Sequence, residues 1–332
     1  MWVPKKIAFV FNSAVDNQQA LHQVFSTAIN NQASLTLISI FNPSILSFKL
    51  SDDFTPVEEL EDNLKVLQKQ ALEDSQRHNP ELDWDKIDVT FTVLAGDPDL
   101  ETVKEVIRGN YDLLIKTVDN QGLLKRVFGR EDMRLLRNTP CPVWLVQSQG
   151  LKSANAHSRK ILAAVDVNAL YKDDEMEVRR ELNLKILETA YSLAISESTD
   201  LHVVSAWSAP FENSLASGFI REPAEKIEEY VTEIERTCQR NFDQLMARLE
   251  ERFGAETQHY LNPKTALIKG SPDTVITQQA QDIGADLVVM GTVARRGIAG
   301  LVMGNTAESI LDRLGQSVIA IKPTGFVSPV KL

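Results

Sequence analysis

The chain is one pattern written twice, and that repetition constrains its fold more than any other feature. Gly96-Asp97-Pro98-Asp99 returns as Gly270-Ser271-Pro272-Asp273, and each copy precedes a helical stretch that runs to a glycine, Gly109 or Gly284. Asp112-Leu-Leu-Ile returns as Asp286-Leu-Val-Val. Leu35 to Ile40 returns as Leu201 to Ala206, with Ser39 answered by Ser205, and Val143 to Val146 returns as Val318 to Ile321. Between the copies, Ser148 to Ser158 is polar, contains Gly150 and lacks an apolar period, as a linker would. The division expected is an amino-terminal domain over residues 1–150 and a carboxyl-terminal domain over 158–325.

Within each copy, short apolar runs alternate with helical periods. Ile7 to Phe11, Leu35 to Phe41, Val89 to Leu94, Leu113 to Ile115 and Val143 to Val146 are expected strands of the first copy. A helix carrying Leu21, Phe25 and Ala28 follows the first, and another over Val57 to Arg77 carries Leu60, Leu64 and Leu67 at helical spacing. Asp97 suits an N-cap with Pro98 at the first helical position, which needs no N–H, and Gly109 suits the helix end. The second copy has Ile161 to Val165 ending in Asp166-Val167-Asn168, then a helix with Leu182, Ile186, Ala190 and Leu193, and later a long helix from Ala224 to Phe253 closed by Gly254. Alternating strands and helices argue α/β architecture, with a doubly wound parallel sheet in each half.

Asp286 to Glu308 concentrates the functional signal. Leu287 to Met290 reads as a strand buried on both faces, and glycines at 291, 297, 300 and 304 follow within a short loop. Asn305 with Glu308 three residues on has the form of a capping box opening the next helix. A loop that delivers the chain into a helix N-terminus favours an anion, through free N–H groups and the macrodipole together.

This stretch resembles the Gly-x2-Gly-x9-Gly-Ser/Thr signature of ATP-binding universal stress proteins. Gly291 matches the first glycine and Gly304 the third, Ala294 replaces the second, and Asn305, with Thr306 beside it, stands where Ser or Thr is usual. The resemblance covers about residues 4 to 147 and 158 to 323, in the manner of the tandem, two-domain members of the family. It implies Rossmann-like domains of strand order 3-2-1-4-5, paired as an internal pseudo-dimer through their fifth strands, and it admits a homodimer beyond that. Val143 to Val146 and Val318 to Ile321 are apolar throughout, which makes exposure of those edges unfavourable.

The same resemblance implies a ligand, ATP or a related adenine nucleotide, with Mg2+ accompanying its phosphates. Asp166, with Val167 beside it, resembles the family aspartate that holds the adenosine end, and Ala206 falls where the family lines the adenine. Gly291, Ala294, Gly297 and Gly304 would surround ribose and phosphates together with Asn305 and Thr306, and Arg295 or Arg296 would supply positive charge. In a doubly wound sheet, ligands sit where the winding reverses, at the carboxyl ends of strands 1 and 4, which is where Asp166 and Gly291 fall. The bland reading is that the glycines allow strand and helix to pack and that Asp166 caps a turn.

The first copy departs from this pattern. Asn12 replaces the strand-1 aspartate, Thr117 stands at the position of Gly291, and Asn120 or Gln121 at that of Ala294. The helix after Gly129 opens with Glu131-Asp132, carboxylates that satisfy the helix dipole and repel a phosphate. A structural role is expected for this half.

Composition narrows the alternatives. Lys plus Arg minus Asp plus Glu is 35 − 46 = −11, which argues against a groove following nucleic-acid phosphates. Cys141 and Cys238 form no disulfide framework or metal spacing, and the five histidines are scattered, so no metal site is expected. No apolar segment approaches a membrane span, and no signal-peptide pattern is present, from which a cytoplasmic location is expected. Gly-x-Ser-x-Gly, Walker and Gly-x-Gly-x2-Gly motifs are absent, so catalysis is not expected. The family resemblance implies a stress-response protein linked to tolerance of DNA damage. A scaffold or a protein binding a different metabolite is the alternative, and a slow ATP hydrolase is a third.

Overall fold

The structure, a computed structural model, describes residues 2–12, 18–43, 57–118, 128–147, 159–169, 171, 173–212, 214, 223–292 and 303–332. The first copy contributes strands β1 (Lys6–Val10), β2 (Ser34–Phe41), β3 (Val89–Ala95), β4 (Leu113–Val118) and β5 (Val143–Gln147). The second contributes β6 (Lys160–Val165), β7 (Asp200–Trp207), β8 (Lys264–Lys269), β9 (Leu287–Gly291) and β10 (Ser317–Ile321). The described helices are α1 (Gln18–Asn31), α2 (Val57–His78), α3 (Pro98–Gly109), α4 (Arg130–Asn138), α5 (Asp173–Glu197), α6 (Ala224–Phe253), α7 (Ala255–Leu261), α8 (Pro272–Asp282) and α9 (Asn305–Leu311).

All ten strands form one sheet in the order β3-β2-β1-β4-β5-β10-β9-β6-β7-β8. Each half is parallel and has the expected 3-2-1-4-5 order. The halves meet through β5 and β10, which pair antiparallel with Trp144 opposite Ile319 and Val143 opposite Ala320. This is the pseudo-dimer, made within one chain.

The pleat explains why both strands at the junction are apolar throughout. Successive side chains point to opposite faces, so a strand covered on both sides needs apolar residues at every position. Trp144, Val146, Ile319 and Ile321 enter a core beneath α1, α5 and α6. Val143, Leu145, Val318 and Ala320 enter the core on the other face, beneath α3, α4, α8 and α9. Each core therefore runs unbroken across the junction. Polar ties reinforce it: Arg137 of α4 donates to Glu308 of α9 at 2.6 and 3.0 Å, and the buried Lys322 ammonium donates to the carbonyl of Leu136 at the end of α4.

The repeated aspartate before strand 4 has a structural role. Asp112 accepts from the backbone N–H groups of Lys5 and Lys6 at 2.8 and 2.9 Å, and Asp286 accepts from Lys160 at 2.9 Å, so each ties the start of its fourth strand to the start of its first.

Three local expectations require correction. Asp97 caps α3, accepting from the Leu100 N–H at 3.1 Å, and the helix ends at Gly109 as expected, but the left-handed residue that terminates it is Asn110, at φ 50°. Aligned on the aspartates, Asn110 rather than Gly109 corresponds to Gly284 (φ 64°). Gly109 is small because a β-carbon there would lie 2.1 Å from the Tyr111 ring. The Leu60, Leu64, Leu67 spacing does not mark the anchor of α2 either, since Leu67 is exposed while Gln68 is fully buried. The Gln68 amide donates to Leu37 O, Ser39 Oγ and Thr92 O at 2.9–3.2 Å, replacing apolar contact with hydrogen bonds to the sheet. Finally, the Asn305–Glu308 capping box does not form. Gly304 is the N-cap, Asn305 is the first helical residue, and Glu308 turns to Arg137.

Candidate functional site

At the carboxyl ends of β6 and β9, where the winding of the second half reverses, lies a cleft of about 160 Å³. Asp166, Ala206, Gly291, Gly304 and Thr306 all line it. Leu182 and Ile186 of α5 form an apolar side wall, Met290 adds to it from β9, and Ile276 and Ile310 add to it from α8 and α9. Asn305 is exposed and does not line the cleft. Val167 lines a neighbouring cleft instead, and its carbonyl accepts from Asn241 at 3.1 Å. Ala294, Arg295, Arg296 and Gly297 lie outside the described residues.

Asp166 is held from every side. Its backbone N–H donates to Asn183 Oδ1 at 3.0 Å, and its carbonyl accepts from Asn183 Nδ2 at 2.7 Å. One carboxylate oxygen accepts from the backbone and side-chain amides of Asn168 at 3.3 and 3.0 Å. The other accepts from Tyr171 Oη at 2.8 Å and forms an ion pair with Arg179. The Arg179 guanidinium lies over the Tyr171 ring, 3.6 Å from its centroid. Burial, with the Asp166 carboxylate beside it, keeps the Tyr171 hydroxyl above its ordinary pKa. Asn168 Nδ2 also reaches the carbonyl of Ala206 at 3.3 Å, joining the ends of β6 and β7.

No sequence motif singles out Tyr171, Arg179 and Asn183 as partners of Asp166. A signal was present: Arg179, Leu182, Asn183 and Ile186 fall at helical spacing on one face of α5, so two polar residues interrupt an otherwise core-facing stripe.

Gly291 has a packing role of its own. A β-carbon at this position would stand 2.7 Å from Leu182 Cδ2 and 3.4 Å from Ile186 Cδ1. Its lack of a side chain lets α5 settle on the end of β9.

The corresponding place in the first half has different chemistry. Lys116 occupies the position of Met290 and forms an ion pair with Asp132 at 2.8 Å, with Glu131 at 3.9 Å. Asp132 also accepts from the Gly129 N–H at 2.8 Å, so an internal carboxylate takes up the first turn of α4. The repeated aspartates register the difference in field. Burial, and secondarily the Glu131 charge, push the Asp99 carboxyl up to about 6, whereas hydrogen bonds from Ser271 and Ser309 and the Arg313 charge hold Asp273 below its ordinary value. Thr306 stands where Glu131 does. Among the described residues, no group of three His, Cys, Asp or Glu is placed to hold a metal ion, and no helix is long and apolar enough to cross a membrane.

Comparison with known proteins agrees with this architecture. The universal stress protein family matches the chain over residues 4–147 and again over 158–322. The chain is 29% identical over 331 residues to a Haemophilus influenzae protein named universal stress protein E homolog, covering 96% of this chain and 98% of that one. It is 31% identical over 233 residues to universal stress protein E of Escherichia coli K12, covering 69% of this chain and 66% of that one. Among solved structures, a putative universal stress protein from Pseudomonas aeruginosa UCBPP-PA14 superposes with a TM-score of 0.64 at 27% identity, covering 96% of this chain and 94% of that one.

Proposed function

We propose, from the premise that this chain belongs to the universal stress protein family, that its carboxyl-terminal cleft binds an adenine nucleotide as part of a stress response. The observation that carries this reading is convergence. Asp166, Ala206, Gly291, Gly304 and Thr306 are scattered over about 140 residues of sequence, yet they line one cleft at the switch point. The carboxylate accepts from hydroxyls of the adenosine end, and the backbone around Gly304 and Thr306 faces the phosphates. Mg2+ would be held chiefly by the phosphates, since Asp166 is the one carboxylate among the described residues that line the cleft. The amino-terminal half supports the fold and binds no phosphate, because Asp132 and Lys116 already neutralise one another at the corresponding place. No catalytic step is assigned.

A second reading, a ligand other than a nucleotide, is favoured by the apolar side wall and by the packing role of Gly291, which accounts for that glycine without a phosphate. Mass spectrometry of small molecules released from the purified protein, with calorimetric titration of ATP and AMP, separates the two. Nucleotide in the released fraction, or a saturable titration, supports the first. A released apolar metabolite, with no heat from either nucleotide at millimolar concentration, replaces it with the second.

A further inference from the structure

Asp166 and Arg179 separate two clefts. The larger is the site described above. The smaller, about 40 Å³, lies on the other side, between α5 and α6. Asp166, Asn168, Tyr171, Arg179 and Asn183 line both, so the wall between them consists of side chains. A water needs about 10–15 Å³, so the smaller cleft has room for about three water-sized groups, comparable to the outer oxygens of one phosphate.

Among the described residues the lining is basic, in a chain of net charge −11. Arg180 and Arg248 join Arg179, with the amides of Asn241 and Gln244 between, and Asp166 is the only carboxylate among the described lining residues. Glu177 stands 3.8 Å from Arg180 on the exposed side of α5, a weak pairing in water. No carboxylate among the described residues lies within ion-pair distance of Arg248. A guanidinium presents a planar fork of donors that matches a phosphate, and three of them around one small cleft favour a dianion.

The partition also bears on selectivity. Both oxygens of Asp166 are already engaged, one of them by a cation. An uncharged ribose hydroxyl that claims this oxygen must draw Arg179 away from the Asp166 carboxylate and brings no charge in its place. A ligand carrying a phosphate beside that hydroxyl supplies one: Arg179 turns from Asp166 to the phosphate, and the carboxylate is released to the sugar. In doubly wound folds generally, an acidic residue reads an unmodified ribose and an arginine accommodates a phosphorylated one. Here both are present and paired.

We infer that the smaller cleft is a subsite for a phosphate on the ribose 2′ or 3′ position, so that the ligand class is a ribose-phosphorylated adenine nucleotide. The inference rests on the nucleotide reading of the larger cleft and deepens it.

The test is calorimetric titration of the full chain with AMP, ATP, adenosine 3′,5′-bisphosphate and adenosine 2′,5′-bisphosphate, repeated on Arg179→Gln and Arg248→Gln. One of the bisphosphates is expected to bind the unaltered chain at least about tenfold more tightly than AMP. That ratio is expected to fall towards one in Arg179→Gln and to shrink in Arg248→Gln. Arg248 is exposed, so its variant keeps the test valid if Arg179→Gln fails to fold. No binding by any of the four compounds overturns the nucleotide reading, and the inference with it. Binding of AMP or ATP with no gain from either bisphosphate overturns the inference alone. A gain that survives both substitutions also overturns it, by placing the second phosphate elsewhere.

Discussion

The contact between Gly291 and Leu182 permits a decisive measurement. Adding a methyl group at Gly291 places a β-carbon 2.7 Å from Leu182 Cδ2 and 3.1 Å from its Cγ, too close for the helix and strand to keep their present separation. Overpacking of this kind costs about 1–3 kcal/mol. The backbone at Gly291 is not in the left-handed region, so alanine also returns about 0.4–1 kcal/mol by restricting the unfolded chain. The net expectation for Gly291→Ala is a loss of about 1–2 kcal/mol. Leu182 is buried, and Leu182→Ala alone should cost about 2–5 kcal/mol through lost transfer energy and a cavity. In the Leu182→Ala background the clash is gone, so Gly291→Ala should become neutral or stabilising by up to about 1 kcal/mol. The two changes are therefore coupled by about 1–3 kcal/mol, readable from urea unfolding of the four chains of a double-mutant cycle. If Gly291→Ala is equally costly with and without Leu182, the glycine is not there for packing and its role in the cleft must be sought in a ligand alone.

Three further expectations concern the asymmetry of the halves. Asp166→Asn should weaken nucleotide binding by about 1–3 kcal/mol while Asn12→Ala leaves it unchanged, and equal losses in calorimetry would contradict the assignment of the site to the second half. Gly304→Glu should abolish binding by placing a carboxylate where phosphates are expected, whereas Glu131→Gln should confer none on the first half because Asp132 and Lys116 remain paired. The pH dependence of Asp99 is the third. Its folded carboxyl titrates near 6, above its ordinary value, so its contribution to stability is present below about pH 4 and is lost as pH rises through 6. Asp99→Asn should therefore match the unaltered chain below about pH 4 and exceed it by up to about 3 kcal/mol at pH 7, the attraction of Arg134 being already included in the raised pKa. Thermal unfolding across that range checks this, and an offset independent of pH would count against it.

Much of the architecture was legible because the repeat and the apolar runs carry it. A strand such as Val318 to Ile321, apolar at every position, can only be covered on both faces, and its twin at Val143 to Val146 has the same need. The cap at Asp97 was equally legible, because Asp-Pro at a helix start is a local signal. Helix ends were less so: Asn110 and Gly284 both reach left-handed backbone, but only one is glycine, and a glycine one residue away drew the match. Gln68 was hidden because helical periodicity counts apolar residues, whereas this anchor works through hydrogen bonds to three groups of the sheet. The partners of Asp166 were hidden for a related reason. Tyr171, Arg179 and Asn183 come to it from the α5 side through tertiary geometry, and no spacing motif joins a strand end to the second and third turns of the helix that follows.

The antiparallel seam between β5 and β10 has a genetic consequence. In a dimer of two identical chains, any substitution at the ligand site appears in both subunits, and dilution can separate them. Here the seam lies within one polypeptide, so its formation does not depend on protein concentration. Because all parallel strands of one half run opposite to those of the other, the two switch points open at opposite ends of the common sheet. A change at one end leaves the other chemically untouched, while both cores stay continuous through the middle. One end thus carries Lys116 and Asp132 paired with each other, while the other keeps an open cleft bordered by Arg179. The tandem chain is free to be half scaffold and half receptor, a division of labour that two copies of a single gene product cannot encode.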